Sequence, residues 1–289
     1  MSAGQDTRLG ILLMIGTCVL FSLQDGISRH LAGEYNVFMV VMIRYWFFAA
    51  FVMTVTVRQA GSLRAAAATA QPHLQITRGV LLALEICVMV TAFVLLGLVE
   101  SLAIFASYPL IVAALSGPIL GERVGWQRWG AIGIGFVGIL VILKPGVGVF
   151  SPYVLIALTA ATLFAIYSLL TRRAARKDAS ATSFFWTGTV GAVVMTCIGL
   201  FHWQPMIPAD WGWMALLCVT GASGHYLLIR CYEVAEASAV QPFTYLQLVF
   251  GAMIGVLIYG EVLQPNVLAG TAIVVSAGIF TLLRERRVR

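Results

Sequence analysis

A duplicated ending constrains this chain more than any other feature: Gly121-Glu122 and Gly260-Glu261 each close an apolar segment, and a glycine-studded hydrophobic helix follows each pair. Each half also carries about five stretches long enough to cross a bilayer. An odd number of spans per copy forces the second copy to enter the membrane upside down relative to the first, which is the architecture of inverted-repeat transporters. Composition agrees, because 60% of the 289 residues are hydrophobic and only 10% are charged, more apolar surface than a soluble core can hide.

Hydrophobic windows predict spans at roughly 8–31, 37–58, 75–98, 100–121, 127–144, 150–171, 182–203, 210–232, 237–259 and 266–284. The expected fold class is therefore all-α, a polytopic membrane protein of about ten transmembrane helices in two inverted five-helix repeats, residues 1–145 and 146–289. The internal match extends beyond the helix ends. Leu20-Phe21 ahead of Arg29 lines up with Leu163-Phe164 ahead of Arg172, and Gly130 and Gly138 line up with Gly270 and Gly278. The first span follows a short polar leader and is too long for a signal-peptide core, so it is expected to stay as an uncleaved anchor. The longest connection, about Arg58 to Gln75, leaves no room for a separate soluble domain.

With the amino terminus inside, every Lys and Arg except Arg29, Lys144 and the intramembrane Arg44 falls on the cytoplasmic side. This positive-inside bias puts both termini in the cytoplasm of a cell whose inner membrane holds the protein. The net charge of +6 then expresses topology. Nucleic acid is excluded as a partner, because the basic residues are spread over short loops instead of clustering with stacking aromatics. Cys18, Cys87, Cys197, Cys218 and Cys231 fall inside spans without metal-ligand spacing and read as small buried packing residues, so no metal and no cofactor is expected. There is no G-x-x-x-x-G-K-[ST] loop, which rules out ATP hydrolysis by that device and leaves facilitated diffusion, exchange or proton coupling.

Three ionisable side chains lie well inside the spans: Asp25, Arg44 and Glu85. Such residues are expected to face a partner or a wet cavity. Asp25 and Arg44 fall at similar depth, roughly 10 Å from the same face, so an ion pair between them is expected, either locking two helices or serving the substrate path. Glu85 has no cation at its depth in its own helix. It reads as a site for a substrate ammonium, a titrating group or a hydrogen-bonded packing residue. His225, near the midplane, is either a proton carrier or a satisfied buried histidine. Pro109 and Pro242 interrupt the fourth and ninth spans, where freed carbonyls need a cavity, water or another helix. Gln24 with Tyr167, and Tyr108 with Gln247, occupy matching positions in the two halves and, with Tyr245, would place polar tips around one axis. Glu122 and Glu261 sit at helix ends, where hydrated carboxylates can meet loop arginines such as Arg123 or Arg128. The small-residue stripes Ala113-Gly117-Gly121-Gly125 and Gly251-Gly255 read as close helix packing.

Arg44 within Ile43-Arg44-Tyr45, Pro109 thirteen positions before Glu122, the two Gly-Glu ends and Pro242 together give the chain a pattern that resembles the drug/metabolite transporter superfamily, specifically its EamA-type members. The second half departs from that pattern at Leu248, where the repeat would place a proline, so the halves are expected to bend differently. Overall likeness is greatest to the YddG-type exporters of aromatic amino acids. That resemblance implies a plasma-membrane exporter with a central cavity, the fifth and tenth helices outermost, and phenylalanine, tyrosine or tryptophan as cargo. Composition alone suits a lipophilic cation equally well. A remote alternative, an intramembrane serine protease, rests on Gly221-Ala222-Ser223-Gly224, but His225 on the same helix faces elsewhere, so no catalytic residues are expected.

Overall fold

The computed structural model describes residues 6–121, 125–143, 152–235 and 240–288, all of them in helices or short connections. The readings on Glu122, Arg123 and Lys144, and on the side chains of Arg128 and Pro242, lie outside what is described.

Local chemistry sets the first turns. Asp6 accepts from Leu9 N–H to start α1 (Thr7–Glu34), and Asn36 accepts from Phe38 N–H to start α2 (Val37–Ala60). The connection after α2 contains a one-turn helix, α3 (Leu63–Ala67), capped by Ser62. Pro72 then opens α4 (Pro72–Leu95), where its missing N–H costs nothing.

The fourth span is not one helix. It divides into α5 (Leu98–Phe105) and α6 (Tyr108–Leu120), with Ser107 folding its hydroxyl back onto the Ile104 carbonyl and Pro109 in the first turn of α6. There follow α7 (Trp126–Leu143), α8 (Val154–Ala174), α9 (Ser180–Gly199) and α10 (Pro208–Val234). The ninth span likewise enters as a 3-10 turn, Gln241–Tyr245, which contains Pro242, before α11 (Leu246–Tyr259). Last comes α12 (Pro265–Val288). Counted back from each Gly-Glu end, the two breaks fall at the same register, although proline precedes one and follows the other. The halves do bend by different local means, as the Leu248 departure implied. Gly121 and Gly260 end α6 and α11 at φ of 74° and 64°, a left-handed conformation that a side chain would strain.

Among the described residues, six helices are long and apolar enough to cross a bilayer, and Trp129–Ile142, Phe243–Tyr259 and Pro265–Phe280 are shorter apolar helices. Lipid offers no partners for backbone N–H and C=O groups, so helices are the form such a chain can take. The first helix of one half packs on the third of the other: α1 lies against α10, and α4 against α8. The other large interfaces join α7 to α12, α2 to α9, α4 to α9, α6 to α8 and α1 to α11, and α5 also packs on α11. In α11, Gly251 and Gly255 admit Leu102 and Val99 of α5, so that small-residue stripe serves packing. The main core is built from α2, α4, α9 and α10, with Met39, Met42, Val52, Phe93, Met195 and Leu217 almost fully enclosed. Four of the five cysteines are buried as expected, but Cys197 is exposed on α9.

Candidate functional site

A small cavity of about 20 Å³, partly open on one side, lies between α2, α4 and α10. Its wall follows helical periodicity. Arg44 and Phe48, Leu82 and Ile86, Cys218 and Ala222, and Gly221 and His225 are pairs four residues apart, so each helix turns one face inward. Tyr45 completes the lining.

Charge converges on this space. Arg44 acts electrostatically on Asp25, Glu85 and His225, and Asp25 also acts on Glu85. Asp25 and Glu85 are buried, and Gln24 beside them is buried as well. The expected Asp25–Arg44 ion pair is not formed, since no salt bridge within 4.0 Å joins them among the described residues. Asp25 is instead held by Gln247, whose Nε2 donates to Oδ2 at 3.0 Å. Gln247 reaches it because Ser22, one turn away on α1, donates to the Gln247 carbonyl at 3.0 Å and fixes α11 against α1. The cation that Glu85 lacks in its own helix is supplied by Arg44 of α2.

The His225 side chain is placed by ring contacts. Its ring sits in an aromatic cage, with centroids 5.0 Å from Phe21, 5.1 Å from Phe48 and 6.3 Å from Phe184. Of the residues expected around one axis, Arg44 and His225 line the cavity, while Asp25, held by Gln247, and Glu85 are within electrostatic reach of Arg44 but outside the lining, as is Gln24. Tyr108, Tyr167 and Tyr245 do not line the cavity. Tyr108 packs on Phe105 and Phe164 at 5.4 and 4.9 Å, and Tyr167 on Phe164 at 5.9 Å, forming a separate aromatic cluster between α5, α6 and α8. The Tyr245 hydroxyl is turned onto Gly278 of α12. Pro109 marks one break and does not line the cavity, and Pro242 falls within the 3-10 turn at the other. Ser223 is likewise absent from the lining.

Two polar clusters escaped the sequence reading. Arg78, placed by its position at a hydrated helix end, is only 1% exposed. It donates to Gln75 and, at 3.0 Å, to Thr171 Oγ1, and its guanidinium lies 5.3 Å from the Tyr167 ring centroid. Gln75 in turn donates to Asp178 at 2.8 Å, which also accepts from Thr69 Oγ1 and Ala70 N–H. Burial would raise the Asp178 carboxyl, but these hydrogen bonds and the Arg78 charge outweigh it and hold the group below 3.8. At the other end, Glu261 does not meet loop arginines in water. It pairs with Arg29, and its two oxygens accept from the Leu98 and Val99 N–H groups, each at 2.8 Å, capping α5.

The model of the EamA-like transporter family matches residues 8–144 and again residues 151–283. An S-adenosylmethionine uptake transporter of Rickettsia prowazekii is 27% identical over 96% of this chain and 94% of its own length. A riboflavin transporter of Vibrio cholerae is 30% identical over 63% of this chain and 61% of its own. A protein solved by crystallography shares the fold with a TM-score of 0.64 at 17% identity, over 97% of this chain and 98% of that one.

Proposed function

Because the chain belongs to the EamA-like transporter family, we propose that it carries an organic cation bearing an α-amino acid head and a planar ring, with S-adenosylmethionine as the favoured cargo, through the Arg44 cavity. One observation carries the choice: two buried carboxyls, Asp25 and Glu85, lie within electrostatic reach of Arg44 on the cavity wall. A cargo of net charge about +1 entering beside them favours their ionised form and is held by it. S-adenosylmethionine has that charge, with an ammonium and a sulfonium against one carboxylate. Phe48 and the His225 ring supply a stacking wall for its adenine. Relatives named for its uptake support the reading.

Aromatic amino acids, the cargo expected from the resemblance, form the second reading. The Phe21, Phe48 and Phe184 cage favours them, but a cargo of zero net charge offers two buried carboxyls less than a net cation does.

The transport path proposed is alternating access, with residues 1–145 and 146–289 as inverted repeats, both termini cytoplasmic and the bundle in the plasma membrane. The family match to two successive segments supports the repeat. So does the exchange of packing partners, α1 on α10 and α4 on α8. Inversion is supported by chain direction: α1 begins where α10 ends, at the Asp6 N–H bond to the Val234 carbonyl, while α8 ends where α4 begins, at the Gln71 bond to the Ala174 carbonyl.

The test is radiolabelled S-adenosylmethionine flux in proteoliposomes, competed by unlabelled phenylalanine, riboflavin and a lipophilic cation. Saturable uptake that an inside-negative potential accelerates is the expected result, since one positive charge gains about 2.3 kcal/mol per 100 mV. Flux no greater than in empty vesicles, or displacement by phenylalanine at lower concentration than by S-adenosylmethionine itself, would overturn the assignment.

A further inference from the structure

Two buried polar atoms beside the cavity have no hydrogen-bond partner: Gln24 Oε1 and the Tyr45 hydroxyl. Gln24 is 6% exposed and Tyr45 2%. Such atoms are rare in a folded interior, because each forgoes the bond it would make in water. Their placement is also particular. Gln24 Oε1 is pressed against the cavity wall at Gly221, 2.7 Å from the point a side-chain carbon there would occupy, and Arg44 Nε is 3.7 Å from the same point. Tyr45 is itself part of the lining, next to Arg44 on α2.

We infer that Gln24 and Tyr45 are the specificity-determining pair that reads the α-amino acid head of the cargo, Gln24 Oε1 accepting from its ammonium and the Tyr45 hydroxyl donating to its carboxylate. This rests on the proposed function and names the groups that carry its selectivity. The chemistry follows from what each atom can do. An amide oxygen accepts only, so its missing partner is a donor, and the neighbouring Asp25 supplies the charge that favours an ammonium there. A phenol next to an arginine fork completes a carboxylate site, because the guanidinium donates in its plane and the hydroxyl adds a further donor. Gly221 has a consequent role: without a side chain it leaves the Gln24 oxygen within reach of the cavity.

The experiment measures displacement of radiolabelled S-adenosylmethionine from purified protein by S-adenosylmethionine, its decarboxylated form and its deaminated form. Radiolabelled phenylalanine, displaced by phenylalanine, phenethylamine and 3-phenylpropionate, serves as a second set. Tyr45→Phe is expected to weaken the parent and the deaminated ligand about tenfold and leave the decarboxylated one unchanged, the effect of one hydrogen bond. Gln24→Leu should do the converse, weakening the parent and the decarboxylated ligand and sparing the deaminated one.

Gly221→Ala repeats the Gln24 test without altering that residue, since the added carbon meets only the far end of a flexible side chain. It settles the matter should Gln24→Leu not fold. Equal losses for all ligands, or none, would overturn the inference. If the wild type ignores S-adenosylmethionine yet shows the same pattern with the phenylalanine set, the cargo assignment falls and the head-group assignment stands. If neither set shows it, the head-group assignment falls on its own.

Discussion

At the end of the bundle away from Asp6, a carboxylate meets a cation directly: Glu261 pairs with Arg29 while capping the two N–H groups that open α5. At the end carrying Asp6 and the α8–α9 connection, the most deeply buried cation, Arg78, touches neutral oxygens of Gln75 and Thr171 and reaches Asp178 only through Gln75. The difference is one of failure mode. Removing half of a partly buried ion pair strands the other half, whereas a relay through neutral groups loses one bond at a time. A carrier that opens each end in turn would then have one end held by a single strong clasp and one by a graded seam. The cavity lies between them, so the balance of the two sets which side it faces.

The largest effect is expected at the clasp. Glu261→Ala removes the Arg29 partner and both acceptors for α5, and should cost about 3 kcal/mol, read as a fall in thermal midpoint in detergent. Glu261→Gln keeps an oxygen for the α5 N–H groups and should lose less. Pairing it with Arg29→Met should recover part of the remainder, because the unpaired cation is gone. A midpoint for Glu261→Ala within a degree of the wild type would show that the clasp does not hold the end.

At the seam the expected loss is smaller. Arg78→Met leaves the Gln75 oxygen and the Thr171 hydroxyl without a donor at roughly 2 kcal/mol, and Arg78→Lys should not restore it, since a point-like ammonium cannot reproduce the planar fork. Labelling of Cys218, which lines the cavity, sharpens the contrast. With the other cysteines replaced, Arg78→Met should speed its reaction with an impermeant thiol reagent from the side bearing Asp6. Glu261→Ala should speed it from the opposite side. Equal rates from both sides in both variants would mean that neither network is a gate.

These two networks also show where sequence reading ran out. Gly121 and Gly260 were legible as helix ends, and both adopt the left-handed conformation that glycine favours. Pro109 and Pro242 were legible as breaks, though whether the freed segment turns toward the cavity or away from it depends on the packing of α6 on α8, which no local pattern encodes. Asp25, Arg44, Glu85 and His225 were legible as a group because charge and imidazole inside an apolar span have few other uses. The partner of Asp25 was not, since Gln247 lies in the other half and its approach depends on Ser22. Phe48, Cys218 and Gly221 could have been found by extending the face of Arg44 and His225 one turn. Arg78 and Glu261 were misplaced for one shared reason: distance along a helix measures depth in the bilayer but not cover by neighbouring elements. Here α8 covers one, and α5 the other.

The smallest effect, and the one that isolates the seam from the clasp, is the acid dependence of Asp178. Its carboxyl is held below the usual 3.8 in the folded protein, so the folded state favours the charged form and this contribution is fully present above that value. It disappears as pH falls through the folded value, where protonation converts the acceptor from Thr69, Ala70 and Gln75 into a weaker one. Asp178→Asn should therefore lower the thermal midpoint slightly at about pH 7, by less than the effect of ~1 kcal/mol set for solvent-exposed charges, and the two proteins should converge as pH falls through the folded value. Added salt should narrow the gap only in part, because hydrogen bonds and not a long-range charge carry most of it. If the gap persists unchanged below that value, Asp178 stabilises the seam by shape alone, and the relay from Asp178 through Gln75 to Arg78 is not electrostatically continuous.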